Sequence, residues 1–235
     1  MILVSRILTY IIPLTYFISA LIWLLHPFQI YMMTVVLVLL TGLVIYLMLR
    51  NRFRWLDFIN ELIYPLLLIL IGSAFLIFLS TNWEYFLVVV FLSAILLIIL
   101  NDTFSRWHPL LGSGLTLDYR RQLVLSASLF FLCLATSYNL ILYLNWSLGV
   151  VLLGVLICLS LLFLRLVNWK INKDFFLVAG LLLFSSLELY FVFYELACDV
   201  YLKALLISLN FLFLIGLVFK NYFNKLEQNY AWKEK

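Results

Sequence analysis

The sequence predicts an all-α fold: a polytopic bundle of eight transmembrane helices with both termini cytoplasmic. Three observations carry that expectation. Hydrophobic residues make up 67% of the 235 and charged residues 11%, where soluble domains hold roughly 45–50% and about 25%. Eight apolar runs approach the ~20 residues a spanning helix needs. All but one of the 15 lysines and arginines fall in alternate gaps between those runs, as they do when cytoplasmic loops retain basic residues.

The runs cover residues 7–25, 30–49, 62–79, 85–100, 123–143, 148–164, 175–194 and 200–219. Arg6 precedes the first; Arg50, Arg52 and Arg54 follow the second; Arg106, Arg120 and Arg121 follow the fourth. Arg165, Lys170 and Lys173 follow the sixth, and Lys220, Lys225, Lys233 and Lys235 the eighth. Lys203 is the exception, on the outer side. The outer turns are short: 26–29, 80–84, 144–147 and 195–199. Tryptophans sit at both kinds of end, Trp23, Trp83 and Trp146 outside and Trp55, Trp107 and Trp169 inside, as expected of interfacial aromatic belts. Runs apolar on every face exclude a membrane β-barrel, whose strands alternate. Ile7 onward is long enough to span, so an uncleaved first helix is expected despite a cleavage-like Ile18, Ser19 and Ala20.

The chain reads as a single membrane domain, 1–235. The longest connection, a cytoplasmic loop over 101–121, divides it into possible four-helix halves, 1–100 and 122–235. A duplication is one reading, although any two four-helix halves share this topology. The net charge of +4 lies at helix ends, which suits anionic lipid headgroups at the cytoplasmic face and not nucleic acid. Cys133, Cys158 and Cys198 have no metal-ligand spacing. The first two are expected to pack as small hydrophobes.

Polar groups inside apolar runs mark the candidate site. Glu188 stands as the one carboxylate well within a run, ~20 Å along from Phe175 at 1.5 Å per residue. Asn210 lies about 15 Å in from Val200 on the next helix, with a tight turn between the two. Ser185 and Ser186, Ser208, and Thr136, Ser137 and Asn139 fall at comparable depths. An intramembrane acid is a functional hypothesis by default. The cluster of Glu188, Asn210, Ser185, Asn139 and Lys203 therefore reads either as a small outward polar cavity or as interhelical hydrogen bonding, with Glu188 protonated or paired to Lys203.

On the inner side, Arg106, His108, Arg120 and Arg121 form a candidate headgroup-binding set, with Asp102, Asp118 and a Gly112–Gly114 turn nearby. The turn lacks the spacing of a phosphate-binding P-loop. Glu195, Asp199 and Lys203, with Glu84 and His26, read as a solvated acidic rim, so no metal and no cofactor is expected. His26 and His108 lie on opposite faces, which leaves a mid-membrane nucleophile without a base. Few helices carry Gly or Pro mid-span, unlike the interrupted helices of many transporters. The expected role is a non-catalytic membrane-embedded subunit or scaffold, serving envelope lipid or polymer handling, in a cell membrane beside other membrane subunits. A small permease or lipid translocator working around Glu188 is the alternative, and an enzyme sited in the 101–121 loop the third.

Overall fold

In a computed structural model of the protein, residues 2–25, 30–50, 54–79, 82–107, 119–167, 173–196 and 198–231 are described. They form eight α-helices and, among the described residues, no strand: α1 (Ile2–Leu25), α2 (Ile30–Leu49), α3 (Trp55–Leu76), α4 (Asn82–Trp107), α5 (Tyr119–Leu144), α6 (Leu148–Val167), α7 (Lys173–Glu195) and α8 (Val200–Ala231). Six are long and apolar enough to cross a membrane: Arg6–Leu24, Tyr31–Leu49, Trp55–Leu76, Asn82–Trp107, Gln122–Leu144 and Leu148–Arg165. The segment Val200–Gly216 of α8 is apolar but shorter.

The helices fall into two compact units, Met1–Asp118 and Tyr119–Lys235. In unit 1, α1 packs on α2 and α4, and α3 packs on the same two. In unit 2, α5 packs on α6 and α8, and α7 packs on the same two. Each unit is thus a ring in which sequence neighbours touch and the last helix closes on the first, the order that short connections impose.

Unit 1 has a tightly filled interior. Tyr16, Trp23, Ile45, Leu68, Val89 and Leu92 are buried, and Tyr85 Oη donates to the Ala20 carbonyl at 2.7 Å, tying α4 to α1. Gly72 lets three helices converge: a Cβ there would stand 3.0 Å from Leu92 Cδ1 on α4 and 3.0 Å from Tyr16 Oη on α1.

Several boundaries differ from the apolar-run reading. Helix α3 begins at Trp55, two turns before the run that starts at Leu62. Asp57 in its first turn lowers hydropathy yet suits the positive end of the helix dipole. Helix α4 continues to Trp107, so the expected loop over 101–121 is helical at its start and helical again from Tyr119. The polar residues 101–106 cover a helix end instead of leaving it. Trp23, expected in an interfacial belt, is only 2% exposed. It sits seven residues from Tyr16 on the same helix face and meets that ring edge-on at 6.1 Å. Trp55, Trp83 and Trp146 are exposed, while Trp169 lies outside the described residues.

Turns in unit 2 follow their residue types. Asn145 has φ 52°, a left-handed conformation that Asn tolerates at a helix end, and the Trp146 N–H reaches back to the Leu140 carbonyl. Asp199 caps α8, its Oδ1 accepting from the Tyr201 N–H at 2.8 Å and the Leu202 N–H at 3.3 Å.

Candidate functional sites in the two units

The sharpest concentration of charge is in unit 1, where α3 begins and α4 ends. Because α3 starts early, Glu61 stands on its second turn beside α4. Because α4 runs on, Asp102, Thr103 and Arg106 come level with Glu61. Arg106 Nη1 lies 3.1 Å from Glu61 Oε1, and Nη2 is bonded to Asp102 Oδ2 one turn back on its own helix. Thr103 Oγ1 donates to Glu61 Oε2 at 3.0 Å. The guanidinium therefore bridges two carboxylates from two helices, with both Glu61 oxygens engaged. The side chains of Glu61 and Asp102 are 6% and 2% exposed, against 27% for Arg106. Since arginine stays protonated, one fixed positive charge faces two buried acids. Pro65 adds an acceptor: lacking an N–H, it leaves the Glu61 carbonyl without its helical donor.

In unit 2 the polar groups near the α7–α8 turn form a largely uncharged seam. Tyr138 of α5 and Tyr190 of α7 stack, with ring centroids 4.6 Å apart. Tyr138 Oη donates to the Tyr190 carbonyl at 3.1 Å, and Ser137 Oγ meets Tyr190 Oη at 3.3 Å. Lys203 of α8 completes the group. Its Nζ lies 5.6 Å from the centre of the Tyr138 ring and 3.4 Å from the Tyr194 carbonyl, to which it donates. Lys203 is 9% exposed, so a cation–π contact and one long hydrogen bond stand where an ion pair would be expected.

Of the five residues expected to share this site, the structure places Lys203 in the seam. Asn139, next to Tyr138, is buried, and Asn210 lies seven residues after Lys203 on one stripe of α8. The Nδ2 atoms of both asparagines are buried without a partner. Ser185 is half-buried, and Ser186 beside it is buried. Glu188 does not join them. It is exposed on the opposite flank of α7, two residues and so about 200° round from both Ser186 and Tyr190. The expected Glu188–Lys203 pair is therefore not formed. On the inner set, Arg106 directs its fork at Glu61 and Asp102, and His108 lies outside the described residues. Arg120 and Arg121 open α5, their side chains outside those described.

Sequence reasoning missed Glu61 because hydropathy alone drew the helix start at residue 62. The i, i+4 spacing of Asp102 and Arg106, one turn from a helix end, was a usable signal for the rest of that cluster. It also missed Tyr138 and Tyr190, which count as hydrophobic in any composition scan. The polar run Thr136, Ser137, Asn139 around Tyr138 pointed to the level but not to the rings. No group of three or more His, Cys, Asp or Glu able to hold a metal occurs among the described residues. No known protein family matches the chain, and neither a curated protein nor a solved structure does.

Proposed function

We propose that the chain is a cell-membrane protein whose eight helices all cross the bilayer, with both termini cytoplasmic, and that it acts as a membrane-embedded subunit or scaffold of a larger assembly. The six long apolar helices support membrane residence. The 23 residues of α7 rise about 34 Å, enough to cross a hydrocarbon core of ~30 Å. The alternation of basic residues supports the orientation.

The outward position of Glu188 carries the functional reading. Ionisable residues within spanning helices almost always face the bundle interior or a water-filled cavity and find partners there. Glu188 faces away from the interior of unit 2. It lies seven residues before the end of α7, about 10 Å from it. Side chains tilt toward the N-terminus of their own helix, so Glu188 leans away from the nearer surface and cannot reach headgroup level. Facing lipid it would cost up to about 3 kcal/mol; covered by a second protein it would be paired. Within each unit the interior contacts of Glu61 and Arg106 and of Tyr138 and Tyr190 join neighbouring helices, and every helix is continuous over its described length, unlike the broken helices that build many transport sites.

The test is the size of the protein in extracts of its native membrane made with mild detergent. An assembly larger than one chain plus its micelle is expected, and a monodisperse single chain would reject the subunit reading. Orientation has its own check with the exposed Cys198 first replaced by serine: Glu84→Cys is expected to label only from outside and Lys173→Cys only from inside, and the reverse would refute the topology.

A further inference from the structure

Four residues of α7 define a continuous outward seam: Phe184, Glu188, Phe191 and Glu195. Their spacing is four, three, four, the repeat that keeps one line of side chains facing a partner helix. Phe184 is 61% exposed and Phe191 46%, and both glutamates are exposed. Neither carboxylate has a hydrogen-bond or ion-pair partner among the described residues. One turn before Phe184, Gly180 is exposed with nothing within 4 Å of where its Cβ would stand, so a second backbone can approach closely there, as small residues allow in membranes. The opposite flank, with Ser186 and Tyr190, is the one buried within unit 2.

The charges select the occupant. Two acids at i and i+7 on one seam repel a second copy of the same seam, which would set acid against acid. They attract a helix that brings positive charge to their level. Resting on the subunit reading above, the geometry points to a partner of one chemistry: a transmembrane helix with a lysine or arginine in the outer half of the bilayer, seated along Phe184–Glu195 with its cation on Glu188. Glu195, at the end of α7, is placed to take a second base at headgroup level. The flanking aromatics exclude water from the pair, and Gly180 marks the closest approach of the two backbones.

The experiment uses the full chain in phosphatidylcholine vesicles, with a donor dye on the exposed Cys198. The probe is a synthetic polyleucine helix with a single arginine two turns from one end and an acceptor dye at that end; an all-leucine helix is the control. Energy transfer is expected to report binding of the arginine peptide about tenfold tighter than the control, the scale of one interhelical polar contact in model peptides. Glu188→Leu should erase that preference, Glu188→Gln should reduce it, and Glu195→Gln should lower it less. Equal binding of both peptides would overturn the proposal, as would an arginine preference that survives Glu188→Leu. So would binding of neither peptide. Energy transfer between donor- and acceptor-labelled copies of the full chain that is lost in Glu188→Leu would make a second copy the occupant and overturn it as well. The subunit reading stands or falls on native size, which none of these arms measures.

Discussion

Unit 1 and unit 2 share a ring order of helices and treat charge in opposite ways. Unit 1 folds two of its acids inward, locking Glu61 of α3 to Asp102 and Arg106 of α4 at one end of the unit. Unit 2 builds its interior seam from two tyrosines, a serine and one lysine and leaves its mid-helix acid, Glu188, on the outside. The physical difference is the surroundings each carboxylate finds. Glu61 lies within reach of a guanidinium, which turns a buried charge into a helix–helix tie. Among the described side chains Glu188 has no base on its flank of α7, and Lys203, the one cation in the seam, is held over the Tyr138 ring on the other side. An acid inside a bundle orients helices, and an acid on its outside waits for something to cover it.

Breaking the unit 1 lock should have the largest effect. Arg106→Ala leaves two buried carboxylates facing one another, and removing one partner of a buried ion pair costs about 3–5 kcal/mol. With the Arg106 side chain 27% exposed, the lower end of that range is expected. The check is unfolding of the detergent-solubilised protein by SDS titration, followed by circular dichroism. An unchanged midpoint would show that the triad does not hold α3 to α4.

The glycines sharpen the contrast at a smaller scale. Gly72→Ala pushes a methyl to 3.0 Å from Leu92 and Tyr16. Overpacking of this kind costs about 1–3 kcal/mol, offset by the gain of about 1 kcal/mol from replacing glycine in a helix, so net destabilisation of about 1 kcal/mol is expected. Gly180→Ala meets open space and is expected to leave stability unchanged or slightly raised in the same titration. Tyr138→Phe is the smallest step: it removes the hydrogen bond to the Tyr190 carbonyl but keeps the ring stack, and interhelical bonds in membranes average about 0.6 kcal/mol. A loss above about 2 kcal/mol would mean that the seam acts as one cooperative network.

How far the sequence foretold this depended on what each signal measures. Hydropathy located eight helices because their interiors are apolar, and polar residues marked the breaks between α5 and α6 and between α7 and α8. Hydropathy misjudged helix ends where polar residues are helical, so it cut α3 short of Glu61 and turned the end of α4 into loop. The depth scale brought Lys203, Asn139 and Asn210 to one end of unit 2 but carried no angle. Glu188 differs from Ser186 and Tyr190 by two residues, which in a helix is half a turn and the difference between inside and outside. Only the packing of α7 on α8 and α6 settles which flank is buried.

That angular distinction is tested most directly by one paired measurement, the SDS unfolding midpoints of Glu188→Leu and Glu61→Leu. Glu188→Leu is expected to unfold at or above the wild-type midpoint, because an exposed acid on an apolar face contributes nothing to the bundle it sits on. Glu61→Leu is expected to unfold below it, because it strips Arg106 of its cross-helix partner. A Glu188→Leu protein that loses stability as Glu61→Leu does would place Glu188 inside the bundle and contradict the account.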